Sequence, residues 1–344
     1  MTTSNAITQR PDLGKVVIEK FDASEGYIGL ELLPKIVVPN NAGIYPIIPH
    51  GVLTKDEAPV THTDGREYLL RNPREGFEKT GYSYLRGNYQ TMEFGLETDL
   101  DTIEHALMAQ ETPNAMHDEI AIDRIVEVMK RAREKRILNS LLADPAFVAD
   151  KKAVDVPWTD LGAADPIKDI KLAMMDFRLK SGKTADVLVI SYDVAQAMSM
   201  TASIRAAIAA APNALDLVHL NAAQLSSLLN VRVLVAGAVH DAAIGYDKAA
   251  DFTNLFPNGT AMLMNIAGGD WNGKAGVGRT PVWAGPYGAG VMVETYARPE
   301  VSGYTYRVRC YEGTCLFRAV SNTLSVTDDI AAKNIQLIDI DPAV

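Results

Sequence analysis

For roughly its first hundred residues the chain carries no apolar pattern long enough to close a core of its own. A long amphipathic helix is then predicted over 117–144, followed by a compact α/β block and a closing run of strands. Extended segments that cannot bury themselves need another surface to lie on, because a lone hairpin is marginal in water. This order points to an assembly protein, whose early segments lie on neighbouring subunits, before it points to chemistry.

Composition narrows the classes. The 344 residues suffice for about two domains. A hydrophobic share of 47% supports a sizeable core, and the net charge of −10 does not mark an obvious nucleic-acid binder. The two cysteines, Cys310 and Cys315, are too few for a four-ligand zinc site or a disulfide framework, so two buried, reduced thiols in a strand region are expected. The first residues, MTTSNAITQRPDLGK, lack the apolar stretch of a signal peptide, and no window approaches the ~18 apolar residues of a membrane span. The expectation is a cytoplasmic chain.

Residues 1–45 read as an extended arm, with a short strand at Val16, Val17 and Ile18 and either a strand or one helical turn from Ile28 to Leu33. Pro34, Pro39 and Pro46 prevent a long regular element over the next stretch. Residues 46–96 hold short alternating runs at 68–70, at 80–84 and at Met92 and Phe94, separated by polar turns, and read as a projecting hairpin. A helix is expected over 101–110. The long helix carries its stripe at Ile122, Ile125, Met129, Ala132, Ile137, Leu138 and Leu141, and Pro145 stops it. Its 28 residues would span about 42 Å.

From 166 onward the period changes. A helix is expected over 167–179 and a buried strand over 185–190, with helices over 192–200 and 204–211. Asn221 caps a further helix, and strands are expected at 231–235, 261–266, 290–296, 304–310 and 334–340. Residues 268–278 form a glycine-rich loop.

No catalytic motif is complete. Gly182-Lys183-Thr184 matches only the tail of a phosphate-binding loop. Phe177 stands where its first glycine belongs, and a strand comes next where a helix is required. A helix-to-strand turn explains it better. Gly276 and Gly278 would need a third glycine at Pro281. His50, His62, His105, His117, His219 and His240 form no metal-ligand spacing. There is no nucleophile elbow. No catalytic, cofactor or metal residue is assigned.

One charged run stands out. Lys130, Arg131, Arg133, Lys135 and Arg136 place five cations in seven residues. One reading is a solvated helix face whose charges favour the helix C-terminus. The other is a stripe on an inner surface facing a phosphate backbone, giving weak, salt-sensitive contact.

The order of parts resembles the major capsid proteins of tailed bacteriophages of the Hong Kong 97 type. The stretch LELLPKIVVPNNAGIYPI (30–47) is similar to their arm and the base of their projecting loop. The helix at 117–144 is similar to their spine helix. ADVLVISYDVAQAMSMTASIRAAIAA (185–210) and NAAQLSSLLNVRVLVAGAV (221–239) resemble passages of their axial domain. TPVWAGPYGAG (280–290) resembles the return toward the peripheral domain. The resemblance covers nearly the whole chain, through loose patterns of apolar and small residues.

The resemblance implies an α+β capsid fold with an N-terminal arm (1–45), an extended loop (46–96), a peripheral domain (97–160 and 305–344) and an axial domain (161–304). It implies a structural, non-enzymatic head protein, assembled in the host cytoplasm into hexamers and pentamers around double-stranded DNA. Its partners would be copies of itself, a separate scaffolding protein, a portal protein and the packaged DNA, with no membrane and no cofactor. Lys55 and Lys79 lie in the loop region, but no cross-linking constellation matches residue by residue. Two other readings stand beside this one: an encapsulin-like nanocompartment shell, and a cytoplasmic α/β small-ligand enzyme using 161–304.

Overall fold

The computed structural model describes residues 7–22, 26–47, 71, 76, 85–111, 117–209, 220–243, 248–268, 276–285, 290–318 and 329–341. The runs expected at 68–70 and 80–84, and most of the loop 46–96, lie outside them.

Two main sheets organise the described residues. In the larger, seven strands gather around β14 (Gly303–Glu312). On one side β14 pairs antiparallel with β5 (Met92–Asp101) along its whole length, from Gly303↔Asp101 to Glu312↔Met92. On the other it pairs with β13 (Val291–Arg298), which pairs in turn with β1 (Thr8–Gln9). A bridge at Val282↔Glu312 adds β12 (Gly278–Trp283), flanked by β2 (Lys35–Val38) in parallel and β15 (Cys315–Leu316) antiparallel.

The second sheet runs β6 (Lys152–Ala153), β16 (Ile335–Asp339), β11 (Thr260–Met264), β7 (Val187–Ser191), β8 (Arg232–Ala236). Its central strands β7 and β11 are buried at every position, as their unbroken apolar runs require. Two hairpins complete the strands: β3 (Ala42–Ile47) with β4 (Leu85–Gln90), and β9 (Val239–Asp241) with β10 (Phe252–Asn254).

The long helix, His117–Leu142, joins the two sheets. Ile122, Ile125, Val126 and Met129 pack with Val291, Val293, Tyr306 and Val308 of the larger sheet. Ile137, Leu138 and Leu141 enter a different core with Val187, Val189, Met262 and Leu337 of the smaller one. The opposite face of the smaller sheet is covered by Ile170, Phe177, Met198, Ile204, Leu225 and Leu229 from four helices.

Local signals explain most element ends. Asn221 and Gln224 form a reciprocal capping box. Gly182 closes helix Pro166–Ser181 at φ 71, donating its N–H to the Arg178 carbonyl, so the phosphate-loop lookalike is a helix C-cap. Cys310 and Cys315 are free and buried.

Several expectations are corrected. Residues 11–22 are helical, not a strand: Pro11 opens the helix, and Val17 and Phe21, four residues apart, are buried on one face against the larger sheet. Burial on that sheet overrides the strand preference of the Val-Val-Ile run. This segment, and the turn Gly29–Leu32 with its buried Leu32 and Leu33, therefore pack on their own subunit.

Met92 and Phe94 belong to a ten-residue strand with a partner in the subunit, not to an unpartnered hairpin. Ala132 is exposed while Arg133 and Glu134 turn inward. The long helix ends at Leu142, and Pro145 begins the next helical turn, capped by Asp144. The sheets do not divide at residue 304 either. β13 pairs with β14, whereas β16, far beyond 304, pairs with β11.

Candidate functional site

The five basic residues of the long helix separate by rotation about its axis. Arg131 and Lys135 are exposed. Lys130 is buried, reaches Glu127 at 3.2 Å and lies 5.3 Å from the centre of the Tyr27 ring. Arg131 touches the same tyrosine, with Nε 3.4 Å from its hydroxyl oxygen.

Arg133 and Arg136 converge on one carboxylate, Glu312 at the end of β14. Arg133 Nε donates to Glu312 Oε2 at 2.9 Å, and Arg136 donates to Oε1. Arg133 Nη1 also donates to the Phe21 carbonyl at 3.1 Å, and its guanidinium stacks 3.5 Å over the Phe21 ring. Arg136 stacks 3.6 Å over Phe94 of β5. Four segments far apart in sequence thus meet at one charged knot: the N-terminal helix, β5, the long helix and β14. Arg133 and Glu312 are 4% and 3% exposed, so their attraction acts in a low-dielectric interior.

A second tie lies one residue on. Glu134 accepts hydrogen bonds from the backbone N–H of Ile28 at 3.1 Å and of Gly29 at 2.7 Å. Gly29 lets the carboxylate approach closely: an added Cβ would lie 2.6 Å from Glu134 Oε2 and displace it. Burial raises the Glu134 carboxyl above its ordinary range, while the two N–H donors and Arg133 pull the other way.

The face of the larger sheet turned away from the long helix carries a ladder of opposite charges. Arg309 meets Glu93 at 3.0 Å and Glu294 at 2.7 Å, Arg307 meets Glu97 at 2.5 Å, and Arg298 meets Asp99 at 3.3 Å. Cross-strand pairs of this kind hold register. Beside the knot, a shallow recess of about 320 Å³ is lined by Tyr89, Met92, Phe94, Arg136, Glu312 and Thr314, among others.

Nothing in this geometry assembles a catalytic centre among the described residues. No group of three or more His, Cys, Asp or Glu is placed there to hold a metal ion. No described helix is long and apolar enough to cross a membrane. Burial pushes the Cys310 thiol up to about 12 and the Cys315 thiol up to about 11, against the direction nucleophilic chemistry needs. His240 lies in the β9–β10 hairpin beside Thr253, while His50, His62 and His219 fall outside the described residues. Glu312 and Glu134 carried no sequence signal: each is an ordinary acid until the fold brings its partners to it.

No protein-family profile matches the chain, and no curated protein matches it in sequence. Solved structures do match in shape. A phage-related protein from Bordetella bronchiseptica RB50 superposes with a TM-score of 0.66 at 17% identity, over 97% of this chain and 98% of that one. A structure from Mycobacterium phage Cain gives 0.52 at 11% identity, over 94% and 92%. One from Microbacterium phage Oxtober96 gives 0.51 at 11%, over 91% of each. With its long helix joining two sheets behind an N-terminal segment and a hairpin base, the chain shares the fold of these phage structures.

Proposed function

We propose that this chain is the major capsid protein of a tailed phage head, assembling as hexamers and pentamers into an icosahedral shell around double-stranded DNA. The observation that carries the reading is a match along almost the whole of this chain to a phage-related protein, 97% of this chain on 98% of that one. The fold by itself does not give the function. What supports the step is the chain's architecture: two sheets organised on one helix, with Arg133, Arg136 and Glu134 of that helix engaged in internal ties.

In this reading the larger sheet with the first half of the long helix is the peripheral domain, and the smaller sheet with its helices is the axial domain. The segment from 46 up to β5 contributes the projecting loop, and Met92 onward belongs to the larger sheet. Copies of the chain, a separate scaffolding protein, a portal protein and packaged DNA are the partners, and the shell is built in the host cytoplasm. Of the five basic residues, Arg131 and Lys135 are the candidates for facing DNA, since Lys130, Arg133 and Arg136 are engaged within the subunit.

The test is imaging of purified protein, expressed alone and with a candidate scaffolding protein, by negative-stain electron microscopy. Closed shells or ring-shaped capsomers are expected. A discrete small oligomer under every condition would overturn the reading.

A further inference from the structure

The two edges of the larger sheet are finished differently. On one, β13 is covered by β1 at Glu294 and Thr295, and the Arg10 N–H donates to the Val293 carbonyl at 3.1 Å. On the other, β5 pairs with β14 alone, and among the described residues no strand meets its outer edge. Ten residues of strand make an edge of about 33 Å.

A long edge of unpaired backbone groups recruits other chains, and proteins blunt such edges with lysine, proline, bulges or inward-pointing charge. The sequence of β5, MEFGLETDLD, has no lysine and no proline. Its four carboxylates are each engaged within the subunit: Glu93 with Arg309, Glu97 with Arg307, Asp99 with Arg298, and Asp101 with the Ile103 N–H at 2.7 Å. On the other face of the strand Met92 and Leu96 are 58% and 37% exposed, continuing outward the layer in which Phe94 packs.

We propose that the outer edge of β5 is a strand-addition site for a second copy of this chain, joined head-to-tail. The proposal rests on the shell reading, in which every subunit is surrounded by copies of itself. Head-to-tail joining is favoured by charge. In a two-fold antiparallel pairing of β5 with β5, Glu97 opposite itself sets Glu93 against Asp101. Sliding by one pair sets Glu97 against Asp99, and sliding the other way sets Glu93 against Asp99. Like charges directly opposite are destabilising. A different strand of the second copy avoids this clash, and a heterologous contact is the kind that closes rings. Met92 and Leu96 would be covered by apolar side chains on the incoming strand, and the backbone groups of β5 would gain partners.

The test is peptide-resolved hydrogen exchange over residues 92–101, comparing free subunits with assembled particles, together with the variant Met92→Lys/Leu96→Lys. Assembly is expected to slow exchange in this strand at least about tenfold. The variant, changed at exposed positions only, is expected to keep the subunit's thermal unfolding transition and to lower the yield of closed particles by a similar factor. Equal exchange in subunits and particles overturns the proposal, as does a variant assembling at the parental yield. Should the variant fail to fold, the exchange comparison on the parent protein still decides. If the parent forms neither closed particles nor ring-shaped capsomers, the shell reading itself fails; parental particles with an unprotected strand defeat only the edge.

Discussion

Arg133 and Glu312 are 179 residues apart in sequence, yet the Arg133 Nε and the Glu312 Oε2 lie 2.9 Å apart in the interior. Arg136 shares the same carboxylate and Phe21 stacks on the Arg133 guanidinium, so one acid ties four segments together. Removing it should cost more than any surface pair would. Glu312→Ala leaves a buried guanidinium without its counter-charge and is expected to lose about 3–5 kcal/mol of subunit stability. Urea unfolding of parent and variant measures it. A loss under about 1 kcal/mol, typical of exposed pairs, would show that the knot is solvated.

The Glu134 carboxyl gives a pH signature of the opposite sign to most buried ion pairs. Burial raises its folded-state value above that of the unfolded chain. Folding therefore takes up a proton between the ordinary carboxylate range and the raised value, and this group's contribution to stability grows as pH falls through that window. In Glu134→Gln the contribution disappears. Unfolding midpoints of both proteins measured from neutral pH down to the ordinary carboxylate range should diverge in slope. Parallel curves would contradict the assignment.

Both thiols should resist modification in the folded subunit. With Cys310 at about 12 and Cys315 at about 11, the thiolate is a minor species at pH 8 and is also buried. A thiol reagent at pH 8 is expected to leave native protein unlabelled and to label two sites after denaturation. Rapid labelling of native subunits would mean that the strands β14 and β15 open on that timescale.

Exposed cations of the long helix offer a test of DNA binding that spares the fold. Arg131→Gln/Lys135→Gln should leave particle assembly intact and change DNA retention in a salt-dependent way, with the slope of log K against log salt reduced by about 1 for each phosphate no longer neutralised. Arg131 would also give up its hydrogen bond to the Tyr27 hydroxyl at 3.4 Å, a minor loss at an exposed site. DNA retention that matches the parent at every salt concentration would return both residues to the role of ordinary solvated charges.

Much of the fold was legible in the residues themselves. The period near 3.6 announced the long helix, the apolar runs announced β7, β8 and β11, Asn221 announced its capping box, and Gly182 the end of its helix. These signals are local: a stripe, a cap or a left-handed turn needs only its near neighbours along the chain. The N-terminal helix was hidden because Val-Val-Ile favours a strand, and only the larger sheet, laid against Val17 and Phe21, reverses that preference. The grouping of β13 with β14 and of β16 with β11 was hidden because strand partners are chosen by long-range burial and not by order along the chain. The basic run was the sharpest case. Its seven residues showed five cations but not which way each would face. The tertiary structure decided that, turning Arg133 and Arg136 toward Glu312 and leaving Arg131 and Lys135 in water, because a buried charge is tolerated only where a distant partner arrives to neutralise it.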